Sequence, residues 1–153
     1  MATSKKIGPY GYEEGPAFDI DSVKKPPKQL LNITIWSSDG PDGQIKAISF
    51  IYRDEKNDLI EVGPYGTIDG TKHMICINKD EFLTGLSGYL NPCITALNFS
   101  TSKDAKYGPF GKYPNNIGDI YFSIDVDHDS IVALFGRCDD KVRSIGAYSG
   151  RRT

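Results

Sequence analysis

The stretch Ile45-Lys46-Ala47-Ile48-Ser49-Phe50 decides the fold, because its pattern recurs twice more along the 153-residue chain. The pattern is an aliphatic residue, a polar one, a small one, an aliphatic one, a small or polar one, and then an aromatic ring. It occupies residues 94–99 and 142–148 as well, and the three copies begin 49 and 48 residues apart. Regular spacing of this kind predicts an internal repeat.

A second motif, Gly-Pro-aromatic-Gly, recurs in step with the first. It stands at residues 8–11, 63–66 and 108–111, at spacings of about 45 to 55 residues. Two independent patterns, each present three times, indicate three equivalent units of roughly 50 residues.

Alternating polar and apolar residues predict strands within each unit. Residues 31–36 and 45–52 alternate in this way, and the turn at residues 38–43 makes them a hairpin. Further strands are predicted at residues 74–77, 82–90, 94–100, 120–126, 130–135 and 142–148, with the glycines of 82–90 as bulges. About twelve strands result.

Units of this size cannot each close a core alone, so their apolar faces must meet around a common axis. The sequence therefore predicts one all-β domain over residues 1–153, shaped as a three-sided prism. The 9 Tyr, 7 Phe, 16 Gly and 9 Pro agree, because they favour short strands separated by turns. A sandwich with an ordinary Greek key is the alternative, but it does not explain why both motifs recur in step.

The charge balance argues against several classes of partner. The chain carries 18 basic and 20 acidic residues, a net charge of −2, so no overall field draws it to nucleic acid or anionic lipid. The three cysteines match neither a zinc site nor a redox motif, and we expect reduced thiols. With no signal-peptide core at the N-terminus and no membrane-length apolar run, we expect a cytoplasmic or nucleocytoplasmic protein without membrane insertion.

Several stretches together resemble one family. Near the N-terminus the family has the motif Gly-Pro-Trp-Gly-Gly-x-Gly-Gly. The corresponding residues of this chain are Gly8-Pro9-Tyr10-Gly11-Tyr12-Glu13-Glu14-Gly15. Similar matches follow at residues 18–20, 33–38, 106–111, 135–137 and 145–148. In this order and spacing they resemble the jacalin-related lectins, in particular the mannose-type, cytoplasmic branch found in plants.

The resemblance implies a fold and a function. The fold is a β-prism of three four-stranded antiparallel Greek-key sheets with pseudo-threefold symmetry. The function is binding of mannose-type or galactose-type sugars, without metal or cofactor, in a shallow site between two loops at one end of the prism. Glycans or glycoproteins are the partners expected, homo-oligomers are common in the family, and a role in plant defence or stress responses is implied.

The resemblance places the site on Gly15 and on residues Asp139, Asp140, Lys141, Val142 and Arg143. In the family an Asp carboxylate accepts hydrogen bonds from neighbouring sugar hydroxyls while backbone N–H groups donate. Gly15 is retained, but Asp139 replaces the glycine and Arg143 replaces the carboxylate of the Gly-x-x-x-Asp pattern. A guanidinium has no acceptor, so the usual carboxylate contact is lost, while the N–H groups of Asp140 and Lys141 remain as donors.

The other two units do not supply the missing carboxylate at the aligned position, where Lys46 and Thr95 stand. A looser arrangement is a shifted sugar site in which Asp39 and Asp42 face Gly70 in the second Gly-Pro-Tyr-Gly loop. Arg143 and Lys141 favour an acidic, sulfated or phosphorylated sugar, while Asp139 and Asp140 oppose one, so the sugar preference stays open.

Other residues allow a functional and a structural interpretation. Tyr12 is a candidate for stacking on a sugar ring, although aromatic residues in such loops more often pack locally, and Trp36 is expected in the core. His73 and His128 lie in no catalytic motif, so no enzyme is predicted. The acidic run Asp125, Asp127 and Asp129 is better explained by a hairpin turn than by a calcium loop.

Two functions remain after these exclusions. The first is a carbohydrate-binding lectin whose specificity is altered by Arg143. The second is a protein-interaction domain on a lectin scaffold that has lost sugar binding.

Overall fold

Twelve β-strands and one short 3-10 turn, Ile20–Ser22, form the fold of the computed structural model, which describes residues 4–152. The strands are β1 (Lys5–Gly11), β2 (Ala17–Phe18), β3 (Pro27–Ser38), β4 (Gln44–Asp54), β5 (Leu59–Gly66), β6 (Thr71–Cys76), β7 (Leu83–Leu90), β8 (Ile94–Thr101), β9 (Lys106–Gly111), β10 (Ile120–Asp125), β11 (Ser130–Cys138) and β12 (Val142–Gly150). The described residues contain no helix long and apolar enough to cross a membrane.

The strands form three antiparallel four-stranded sheets. The first sheet has the order β1-β12-β11-β2, the second β5-β4-β3-β6 and the third β10-β7-β8-β9. Each sheet has a long hairpin at its centre and two shorter strands at its edges, and the first sheet joins the two ends of the chain. The predicted β-prism is confirmed, and the ordinary sandwich is wrong.

The two recurring motifs pair with each other, which explains why they recur in step. In all three sheets the small third residue of the first motif lies opposite the last glycine of Gly-Pro-aromatic-Gly. The pairs are Ala47 with Gly66, Ala96 with Gly111, and Ser144 with Gly11. A Cβ on Gly66 would lie 3.0 Å from the Cα of Ala47, so the edge strand approaches its neighbour too closely for a larger residue.

The core lies between the three sheets, on the prism axis. Ile33, Phe50, Leu97, Phe99 and Ile145 are all buried there and come from the central hairpins. Burial of large side chains from all three units in one cluster is what makes the units interdependent.

Aromatic contacts join each unit to the next. The aromatic residue of every Gly-Pro-aromatic-Gly motif contacts a ring from an edge strand of another sheet, stacked in the first two pairs and tilted in the third. The pairs are Tyr10 with Phe122, Tyr65 with Phe18, and Phe110 with His73, at centroid distances of 5.8, 5.0 and 4.5 Å. These three contacts close the prism, and the third is the one that uses a histidine.

Three details differ from the sequence predictions. Trp36 is half-exposed on the outer face with Lys72 over its ring, because Ile33 and Ile35 take the inward positions of β3. Residues 126–129 form a turn between β10 and β11, which belong to different sheets, so this turn is not a hairpin. In β7 the pairing shifts next to Gly85, whereas Gly88 pairs regularly with Leu97 and forms no bulge.

Candidate functional site

Two loops from opposite ends of the chain meet at one end of the first sheet. Arg137 Nη1 donates to the Gly15 carbonyl at 2.9 Å, and Cys138 N–H donates to the Pro16 carbonyl at 3.1 Å. Gly15 has φ of +80°, and a Cβ there would lie 2.6 Å from the Cys138 carbonyl oxygen. Only glycine allows the two backbones to come this close. Gly15 together with residues 139–143 is called the Gly15 site below.

The Arg143 side chain fills the position between the loops. Its Nε donates to both carboxylate oxygens of Asp139, at 2.9 and 3.0 Å, and its side chain is 14% exposed. Glu14 and Asp140 lie 3.6 and 4.0 Å from the guanidinium, and the Pro92 carbonyl of the third unit accepts from Nη1 at 3.5 Å. One guanidinium is therefore shared among three carboxylates and a carbonyl.

This arrangement fixes the charges of the pair. The hydrogen bond from Arg143 lowers the pKa of Asp139 from 3.8 to about 2, and the same bond raises the pKa of Arg143. Asp139 is ionised at neutral pH, and its carboxylate is oriented by the arginine. The carboxylate is about one-third exposed and is the acceptor of the site.

The remaining residues of the predicted site have unequal roles. The Asp140 N–H donates to no acceptor among residues 4–152, so it is open to a ligand, whereas the Lys141 N–H donates to Asp139 Oδ1 at 3.3 Å. The Val142 side chain is fully buried in the core. The structure thus brings the predicted residues together but leaves one of the two expected backbone donors engaged.

Sequence reasoning missed Glu14 and Pro92. Glu14 stands in the start motif at a position that carries no signal of its own, and Pro92 belongs to the third unit. Their contacts with Arg143 link segments 129 and 51 residues apart, which periodicity within one unit does not reveal.

The predicted equivalence of Arg143, Lys46 and Thr95 is confirmed. In each unit the carbonyl oxygen of this residue accepts the N–H of the residue that follows Gly-Pro-aromatic-Gly. The donors are Tyr12 to Arg143, Thr67 to Lys46 and Lys112 to Thr95, at 3.1, 3.0 and 2.8 Å. None of the three positions supplies a carboxylate.

The structure does not bring Asp39, Asp42 and Gly70 together along one cleft. Asp39 and Asp42 line two different clefts, and Gly70 lines neither. Asp39 accepts from the Gly111 N–H of the third unit at 3.0 Å, while Gly70 packs against the Ser37 carbonyl. The turn at residues 38–43 therefore directs Asp39 toward the neighbouring unit.

The aromatic residues of the loops have packing roles. Tyr12, Tyr65 and Phe110 are partly buried against the core. Tyr65 and Phe110 contact rings of a neighbouring unit, whereas Tyr12 packs against the core, as aromatic residues in such loops more often do.

Neither His128 nor the cysteines belong to a candidate metal site in the described part of the chain. His128 is 95% exposed, and the described residues hold no cluster of three or more His, Cys, Asp or Glu placed for a metal ion. All three cysteines are free, with Cys93 and Cys138 buried and Cys76 exposed. Burial raises the pKa of both buried thiols.

Three twisted sheets around one core, with a glycine loop packed against the β11–β12 turn, define a β-prism of the lectin class. A family model for the jacalin-like lectin domain matches residues 7–148. The chain belongs to the jacalin-like lectin family.

Relatives of known identity agree with this assignment. The jacalin-related lectin Calsepa of Calystegia sepium is 32% identical over 93% of this chain and 92% of its own length. A mannose/glucose-specific lectin of Parkia platycephala is 27% identical over 95% of this chain, which spans 32% of that longer protein. Among solved structures, a mannose-binding jacalin-related lectin from Ananas comosus superposes with a TM-score of 0.81 at 28% identity, covering 98% of this chain and 99% of its own. The relatives are lectins, and none of them indicates an enzymatic family.

Proposed function

We propose that this protein is a carbohydrate-binding lectin in which the Gly15 site binds glycans with altered specificity. The proposal rests on the positions of the charged side chains in this site, which differ from those in the family pattern. Arg143 stands where the family pattern has a carboxylate, and Asp139 places a carboxylate four residues earlier, held by two hydrogen bonds from Arg143 Nε.

The acceptor of the site has moved rather than disappeared. Asp139 Oδ1 accepts from both Arg143 and Lys141, whereas Oδ2 keeps a lone pair beyond the one used by Arg143, and the carboxylate is partly exposed. The open Asp140 N–H supplies a donor next to it. A sugar held by Asp139 and Asp140 must present its hydroxyl pair in a different orientation from a sugar held at position 143, so the set of bound sugars changes.

The charges around the site favour neutral glycans over acidic ones. Arg143 and Lys141 bring two positive charges, while Glu14, Asp139 and Asp140 bring three negative ones. Since Arg143 is already shared among these carboxylates, it is not free to bind a sulfate, phosphate or sialic acid group. Each neutral contact contributes only about 0.5–1.5 kcal/mol, so monosaccharide affinity is weak and repeated sites increase it.

A second candidate is a protein-interaction domain that no longer binds sugar. The observation in its favour is the same saturation of Arg143, because a ligand must compete with contacts that the protein makes to itself. The two candidates make different predictions for variants of the Gly15 site.

A glycan array separates them. We expect the wild type to bind neutral glycans, Gly15→Ala to lose binding, and the double variant Asp139→Gly with Arg143→Asp to bind a different set. The double variant is needed because Arg143→Asp alone would place a fourth carboxylate beside Glu14, Asp139 and Asp140. Lys46→Ala is the matched control, since it changes the equivalent residue of the second unit without adding a carboxylate.

The array also has an outcome against the proposal. If the wild type binds no glycan while the double variant gains mannose binding, the native site has lost its function and the protein-interaction domain is the better description.

A further inference from the structure

The second and third units enclose a cleft of about 540 Å³, a size typical of small-molecule sites. Its lining residues are Asp39, Gly40, His73, Pro109, Gly111 and Tyr113. In the second unit the counterparts of the Gly15 site are Gly70 and residues 42–46. None of the residues that line the cleft is among these counterparts. The Asp39 cleft, named here after its carboxylate, is therefore a separate place in the fold.

The Asp39 carboxylate is both fixed and available. Its Oδ1 accepts from Ser37 Oγ at 2.7 Å and from the Gly111 N–H at 3.0 Å. Its Oδ2 accepts no hydrogen bond from the described residues, and the side chain is 46% exposed. One oxygen thus sets the orientation of the group while the other faces a ligand.

His73 adds a polar group where the other units have none. Phe18 and Phe122 occupy the equivalent edge-strand positions and stack on the corresponding aromatic residues. The His73 ring also packs against Phe110, tilted by 36°, but its Nε2 is buried, has no hydrogen-bond partner among residues 4–152 and lies 3.8 Å from Asp39 Oδ2. Packing alone is satisfied by phenylalanine, so the imidazole beside the carboxylate indicates a polar function.

The rest of the cleft offers an apolar surface and open access. Tyr113 is 66% exposed, and its N–H donates to the Gly40 carbonyl at 3.0 Å, which ties the two walls together. No atom lies within 4 Å of the position that a Cβ of Gly40 would take. A ligand can therefore enter from this side and lie against the Tyr113 ring and Pro109.

We propose that the Asp39 cleft is a second carbohydrate site, for a neutral pyranose. A pyranose combines hydroxyls, which Asp39 Oδ2 accepts, with an apolar face of C–H groups, which the Tyr113 ring contacts. The inference extends the proposed glycan binding, but it does not require the Gly15 site to be active.

Titration of the ¹⁵N-labelled protein with mannose, glucose, galactose and N-acetylglucosamine tests the two sites separately. The amides of Gly111 and Tyr113 report on the Asp39 cleft, and those of Asp140 and Lys141 report on the Gly15 site. We expect at least one sugar to shift the cleft amides with a saturable, millimolar Kd. Asp39→Asn should weaken this Kd at least about tenfold without changing the response of the Gly15 site.

Tyr113→Ala should weaken binding several-fold at the cleft, and Tyr121→Ala, which removes a similarly exposed tyrosine elsewhere, should leave it unchanged. Cleft amides that do not move with any of the four sugars overturn the inference, as does a Kd unchanged in both Asp39→Asn and Tyr113→Ala. Shifts confined to the Asp140 and Lys141 amides would overturn the second site and leave the proposed function of the Gly15 site standing. Shifts confined to the cleft amides would support the second site and count against sugar binding at the Gly15 site.

Discussion

Replacing Gly15 with alanine tests whether the two site loops pack as closely in solution as they do in the structure. The substitution has two costs. It forces a residue with a side chain to adopt φ of +80°, and it places a Cβ 2.6 Å from the Cys138 carbonyl oxygen and 2.9 Å from the Asp139 nitrogen. Gly40 offers a matched comparison, because it has φ of +101° but no atom within 4 Å of its Cβ position.

The magnitudes follow from these distances. The left-handed conformation costs an alanine about 1–2 kcal/mol, and this is all that Gly40→Ala should lose. Gly15→Ala must also separate two backbones, and overpacking of this kind costs about 1–3 kcal/mol more. Gly118→Ala, which has no positive φ and a nearest contact of 3.6 Å, should stay within about 0.5 kcal/mol of the wild type.

Urea denaturation of the three variants measures these differences, with an unchanged m-value as evidence that the same transition is compared. We expect the free energy of unfolding to fall by about 1–3 kcal/mol more for Gly15→Ala than for Gly40→Ala. If both variants lose the same free energy of unfolding, the two loops are not in contact at Gly15. The geometry of the proposed sugar site would then be wrong as well.

Three further predictions concern charge, burial and reactivity. The folded pKa of Asp139 is about 2 against an ordinary 3.8, so its pairing with Arg143 stabilises the fold above pH 4 and is lost as pH falls toward 2. Arg143→Met should therefore lower the free energy of unfolding by less than about 1 kcal/mol at pH 6. In acid-denaturation curves this difference between the variant and the wild type should vanish near pH 2. Burial raises the pKa of Tyr52 to about 12, and below pH 10 its hydrogen bond to the Lys25 carbonyl should stabilise the wild type by about 1 kcal/mol relative to Tyr52→Phe. The wild type should lose stability relative to Tyr52→Phe between pH 10 and 12, because the phenol ionises first in the unfolded chain and a phenolate cannot donate. A difference in the free energy of unfolding that is the same at every pH would contradict this prediction. In the native protein a thiol reagent should label Cys76 alone, with Cys93 and Cys138 reacting after unfolding, and mass spectrometry that finds native labelling of Cys93 would show that its burial is wrong.

Much of the fold could be predicted because the internal repeat is visible in the amino-acid sequence. The pattern at Ile45 to Phe50 and its two copies fix which strands are central, and the Gly-Pro-aromatic-Gly motifs mark edge strands in all three sheets. The core prediction for Trp36 is wrong because it rests on hydrophobicity alone, whereas strand alternation with Ile33 and Ile35 inward places Trp36 on the outer face.

The candidate site was predicted in position but not in chemistry. Loss of an acceptor at Arg143 follows from the side chain alone, whereas the salt bridge with Asp139 depends on the path of a turn. The Asp39 carboxylate could be named from the sequence, but its cleft could not, because Asp39 lies in the β3–β4 turn, His73 in β6 and Tyr113 after β9. Contacts of this kind depend on how units pack, and periodicity within a unit carries no information about them.

The first sheet is made from the earliest and the latest strands of the chain, and this affects when the protein becomes competent to bind. Arg137 and Gly15, which hold the site loops together, are 122 residues apart. Contacts at this separation form late, because the intervening chain must lose its freedom first. A sugar bound at the proposed Gly15 site would therefore select molecules in which β1 and β12 are paired, and it would stabilise them against opening at this seam.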